Sequence, residues 1–274
     1  MARKIVLFWT ILGLIFVIAN YHFLEQKQPE KAQKEITIFT LDALAEIHAK
    51  MILWNRGTVT ALGSSKKLTE AQKNADIIID TVPLEKSVFK WEMQDYTWTY
   101  ITIPELSILE VLHETDILTN QINLIRNGIV EKDTWHPGYY YDNAGNYLHL
   151  IESLYETIQT RLSKYHKAKF VTLGGDFDNF IEKFWLTDYH AKHYKTLSDF
   201  KNDASLKDFL KAEKINHVFV FFPMVDAEVR KIENLYHVTV YRLPQIQEDT
   251  SAWGYLRYVE KVADQFVRAF DTYD

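Results

Sequence analysis

The sequence predicts an α/β protein of two lobes, each a small, mostly parallel sheet flanked by helices. Three observations carry this reading. Short β-branched runs recur along the chain, stripes of apolar residues at helical spacing lie between them, and the alternation restarts after one long amphipathic segment.

The elements follow in order. Ile36 to Leu41 (ITIFTL) is β-branched and aromatic, and Leu44, Ile47, His48 and Met51 then fall at helical spacing. Thr58 to Leu62 reads as a short strand, Leu68 to Ala75 as a polar helix, and Asp76 to Val82 (DIIIDTV) as a buried strand closed by Pro83. Trp98 to Ile103 alternates as a further strand. Thr115 is placed to cap a helix with the stripe Leu118, Ile122, Ile125, Ile129. Asn143 to Lys164 carries Tyr147, Ile151, Leu154, Ile158 and Leu162 on one face, about 33 Å of helix, long enough to join two lobes. Beyond it come a strand over Lys169 to Leu173, a helix around Phe177 to Trp185 and a polar linker through Asp203. A helix with Leu206, Phe209 and Leu210 leads to the strand His217 to Phe222, ended by Pro223. A helix with Val225, Val229 and Ile232, the strand Val238 to Leu243 and a last helix with Ala252, Leu256, Val259, Ala263, Phe266 and Phe270 complete the pattern.

Composition bounds the function. The 274 residues are 47% apolar and 25% charged, the balance of a packed globular protein. Net charge is −6 with scattered Lys and Arg, which argues against nucleic acid as a partner. There is no cysteine, so disulfides, thiolate metal sites and thiol nucleophiles are excluded, and any metal must be held by His, Asp or Glu.

Ile5 to Leu24 is free of formal charge and just long enough to cross a bilayer, with Arg3 and Lys4 before it. It predicts a membrane contact through residues 5–24, with the N-terminus in the cytoplasm and the folded part outside. The alternative is a secretory signal cleaved after Ala19. Glu25 to Glu35 (EQKQPEKAQKE) cannot bury an apolar face and reads as a hydrated tether. The expected organisation is therefore anchor or signal at 1–24, tether at 25–35, a first lobe at 36–140, a linking helix at 141–166 and a second lobe at 167–274.

Four stretches in order resemble the zinc- and manganese-binding substrate-binding proteins of bacterial ABC importers. They are ADIIIDTVPLE from Ala75, YYYDNAGNYLHLIESLYETIQTRLSKYHKAKFVTLGGDFDNF from Tyr139, VFVFFPMVDAEVRKI from Val218, and the C-terminal SAWGYLRYVEKVADQF. The resemblance spans roughly Ile36 to Asp274. It implies two α/β lobes holding a divalent metal in the cleft between them as the transported ligand, with an ABC permease as partner and no resident cofactor. It also implies three histidines and a carboxylate as ligands, and here the chain departs. The first position falls in Thr60 to Ser65, which has no histidine. The second falls on Glu110, the third on Gly174, and the carboxylate on or beside Pro244. Only Glu110 retains a ligating side chain, and one carboxylate does not make a four-ligand zinc site.

Other carboxylates and histidines lie near these positions. Asp176 and Asp178 follow Gly174-Gly175 at a helix start, where a carboxylate also serves as an ordinary cap. His113 lies three residues from Glu110, and His190 and His193 share a face if their stretch is helical. Glu110 and Asp176 are the metal candidates. Trp135, Tyr139 and Trp253 are candidates to line the cleft, against ordinary packing as the bland alternative. No nucleophile elbow, phosphate loop or dinucleotide fingerprint is present, so the chain is not expected to be an enzyme. The expected function is an extracytoplasmic, membrane-tethered solute-binding protein with most family metal ligands replaced. The alternative is a surface interaction module that binds no metal on the same scaffold.

Overall fold

The computed structural model describes residues 35–61, 74–83, 86–87, 98–106, 114–174, 183–184 and 190–271. The expected helices over 68–75 and 177–185 fall largely outside them, as does the segment 5–24. Among the described residues no helix is long and apolar enough to cross a membrane.

Strands β1 (Ile36–Thr40), β2 (Gly57–Ala61), β3 (Ile77–Asp80) and β4 (Thr99–Thr102) form one sheet in the order β2-β1-β3-β4. All its pairings are parallel, with Ile38 opposite Val59 on one side and Ile77 on the other. Strands β5 (Lys169–Leu173), β6 (His190–Tyr194), β7 (His217–Val220) and β8 (Thr239–Arg242) form the second, in the order β6-β5-β7-β8, again parallel throughout. The two sheets thus share one wiring, and the predicted two-sheet α/β class is what the chain adopts. The strands beside the centre, β3 (IIID) and β7 (HVFV), are buried at every position, as expected for strands covered on both faces.

Helix α1 (Ala43–Leu53) starts at Asp42, whose carboxylate accepts the Ala45 amide at 2.8 Å. Helix α2 (Thr115–Lys132) buries the predicted stripe, but its N-cap is Glu114, with no side-chain capping bond, rather than Thr115. Helix α3 (Pro137–Leu162) has 26 residues, about 39 Å at the usual rise. It begins at Pro137, not Asn143, because proline at the first helical turn gives up no hydrogen bond and presets φ. Its buried face is Tyr140, Ala144, Tyr147, Ile151, Tyr155, Ile158 and Leu162, a repeat of three and four.

The stretch expected to be a polar linker forms β6 and a short helix, α4 (Leu197–Asn202), capped by Thr196. HAKHY pairs as an edge strand and needs few apolar side chains. Tyr194 anchors it, packed edge-on to Phe200 at 5.3 Å. Helices α5 (Leu206–Glu213), α6 (Asp226–Tyr236) and α7 (Gly254–Asp271) follow where expected.

One apolar cluster runs from Ile38 and Ile77 of the first sheet through α1, α2, α3 and α7 to Phe170 and Phe219 of the second. Within it Phe219 stacks on Phe266 at 4.1 Å, an arrangement worth about 0.5–1.5 kcal/mol beyond the area it buries. A separate cluster fills the space around α5 and α6 behind the second sheet.

Candidate ligand cleft between the two sheets

In a parallel sheet every strand ends at the same edge, and the loops leaving that edge form the natural ligand site. Here the two such edges are turned toward each other. Lys183, in the chain after β5, donates from Nζ to Thr115 Oγ1 at 3.2 Å, at the start of α2 and beyond β4. Phe184 packs edge-on to Tyr155 at 5.6 Å, and the short turn Ile246–Glu248 after β8 packs on α1.

At the tip of β3, Asp80 is only 3% exposed. Its carboxylate accepts the Tyr100 hydroxyl at 2.6 Å and the Val82 amide at 3.0 Å, with the Ser87 hydroxyl at 3.4 Å. These donors hold the loop after β3. Beside it Leu41 and Val82, following β1 and β3, remain exposed at 42% and 40%. The first sheet therefore carries two exposed apolar side chains just beyond its strand ends.

On the second sheet, Gly174 stands at the third ligand position implied by the resemblance. Its φ is +104°, its amide donates to Tyr194 O at 2.7 Å, and a Cβ there would lie 2.7 Å from the Phe222 ring. Neither Gly174 nor Pro244 offers a metal a side-chain donor. Among the described residues no group of three or more His, Asp or Glu is placed to hold a metal ion. Glu110, His113, Asp176 and Asp178 lie outside the described residues.

His190 and His193 are corrected. They belong to strand β6 rather than to a helix, and His193 Nδ1 is engaged with Thr172 Oγ1 at 2.6 Å. The cleft placement of the aromatic candidates is also corrected: the structure gathers them at the other end of the first sheet. The Tyr139 hydroxyl donates to Asn55 Oδ1 at 3.0 Å and Arg56 lies over its ring at 4.5 Å, both in the turn that enters β2. Trp253 packs edge-on to Trp54 at 6.2 Å, just beyond α1, while Trp135, 88% exposed, occupies the turn between α2 and α3. Composition showed that these rings were available, but only the fold decides at which edge they stand.

Two features escaped the sequence reading. One is the hub of Asp80 and Tyr100; its only signal was an aspartate ending an otherwise apolar strand. The other is the partnering of His48, which the helical stripe of α1 already included: it is wholly buried, with Nδ1 3.0 Å from the Tyr147 hydroxyl and its ring against Tyr255. Burial pushes its pKa down to about 3, so the ring is neutral.

No protein-family model matches the chain, and neither does any curated protein. Solved structures do. The chain is similar to the metal-dependent lipoprotein YcdH of Bacillus subtilis, with a TM-score of 0.65 and 16% identity over 86% of this chain and 99% of that one. It is similar to the Zn(II)-bound ZnuA-like domain of Streptococcus pneumoniae AdcA, at 0.62 and 16% over 86% and 99%. It is also similar to the Ni2+-bound solute-binding protein FpvC of P. aeruginosa, at 0.61 and 17% over 88% and 98%. The fold is thus that of metal-binding solute-binding proteins, as the sequence resemblance implied. Another protein of this fold is described as a periplasmic metal-binding protein, from candidatus liberibacter asiaticus. With no membrane-crossing helix among the described residues, the single-pass localisation expected from residues 5–24 is withdrawn.

Proposed function

We propose that this chain is a solute-binding protein of the metal-importer type, which works outside the cytoplasm, captures its cargo between the two sheets and hands it to an ABC permease. The observation that supports this most is the architecture. Two identically wired parallel sheets, bridged by α3, turn their ligand-binding edges toward each other and offer no catalytic constellation among the described residues. The inherited metal ligands have been replaced, so a divalent cation as cargo rests on Glu110 and Asp176.

The test is the metal content of the purified full chain, with its melting temperature on adding zinc or manganese. Bound metal, and a rise in melting temperature that is diminished in Glu110→Gln and Asp176→Asn, is the expected result. No metal and no rise would sink the cation reading. The second reading, an interaction module that binds no metal, would then stand; the exposed Leu41 and Val82 just beyond the strand ends of the first sheet favour it.

A further inference from the structure

A second concavity of about 610 Å³ lies between α7 and the chain that leaves β7 and β8. Its floor is apolar: Met224 and Leu243 are each 5% exposed, and Phe222 lies alongside. Its rim is basic, with Arg242 at the end of β8 and Lys261 and Arg268 seven positions apart on one face of α7. The carboxylates nearby are engaged. Asp264 is paired with Arg161 of α3, and Glu248 accepts the Gln245 amide at 3.3 Å. Arg242 is itself held, 2.7 Å from Asp226 and donating to Met224 O at 3.1 Å. Lys261 makes no hydrogen bond or ion pair among the described residues.

We propose that this groove is a second ligand site, for a small organic carboxylate with an apolar body. The volume lies within the range of small-molecule sites. The buried floor rewards an apolar body, which a bare inorganic anion lacks. Lys261, which has no partner among the described residues, supplies a cation to one carboxylate, on a chain whose net charge is −6. The groove is lined by the chain that leaves β7 and β8 and by α7, and it includes Pro244 at the cleft edge, so the metal chelator in the test below is what separates it from the cation reading.

The test is calorimetric titration of the full chain, in the presence of a metal chelator, with 2-naphthoate, its uncharged analogue 2-naphthalenemethanol, and inorganic phosphate. One saturable site for 2-naphthoate is expected, with affinity lower by about tenfold or more for the alcohol and in Lys261→Glu. Lys261→Arg should keep it. Lys261 is exposed, so both variants should melt as the parent does. Absence of saturable binding, equal affinity for the alcohol, indifference to Lys261→Glu, or phosphate binding as tightly as naphthoate would each overturn the proposal.

Discussion

His48 of α1 and Tyr147 of α3, 99 positions apart in the chain, meet in a fully buried hydrogen bond of 3.0 Å that ties the long helix to the first sheet's covering helix. The other ring nitrogen, Nε2, has no partner among the described residues. Tyr147→Phe would strand Nδ1 as well. It should lower stability by about 1–3 kcal/mol, read as a shift in the urea midpoint at unchanged slope.

The same histidine makes stability depend on pH. Its folded pKa of about 3 lies below its ordinary value of 6.5, so between these values the unfolded chain binds the extra proton. The stabilisation is complete above pH 6.5 and declines as pH falls toward 3. His217, pushed down to about 4 by burial, acts in the same direction over a narrower window. Unfolding free energy measured from pH 7.5 to 5 should fall, each histidine contributing a slope of at most about 1.4 kcal/mol per pH unit. His48→Gln should flatten the curve; an unchanged slope would remove His48 as its source.

Gly57 and Gly145 should respond in opposite senses to alanine. A Cβ at Gly57 would sit 2.0 Å from the Ile36 carbonyl oxygen, which is backbone and cannot yield without disturbing the β1–β2 register. Loss of about 1–3 kcal/mol is expected there. Gly145 lies inside α3 with nothing within 4 Å of a new Cβ, so alanine should gain about 0.5–1 kcal/mol in the same melts.

Gly174→His should not rebuild a metal site. The backbone there has positive φ, and the new Cβ would strike Phe222 at the start of the turn after β7. A lower melting temperature with no added response to zinc is expected. A rise on adding zinc would show that the loop can remodel.

Much of the fold was legible because burial writes a strong pattern. The run IIID in β3 and the stripe from Tyr147 to Leu162 in α3 declare strand and helix without further help. β6 was not legible, since the five residues HAKHY are too short and too polar a run to carry a period-two signal. The start of α3 was missed because an exposed first turn leaves no apolar stripe, although Pro137 marks it. The candidate site was harder still. Trp135, Tyr139 and Trp253 were identified by type, yet the edge of the sheet on which a ring stands depends on chain direction within the fold. Likewise, the fold was recognisable in segment order, whereas Gly174 and Pro244, at positions where the resemblance implies ligands, carry no side-chain donor and so leave the occupant of the cleft unread.

The apolar cluster that passes unbroken from Ile38 to Phe219 also sets how the molecule comes apart. With α3 and α7 shared, each sheet loses the layer that these helices supply if the other is lost, so the two halves form one cooperative unit. Heating should produce a single calorimetric transition, and each sheet expressed alone should fail to fold. A solute gripping one half would raise the melting temperature of the whole.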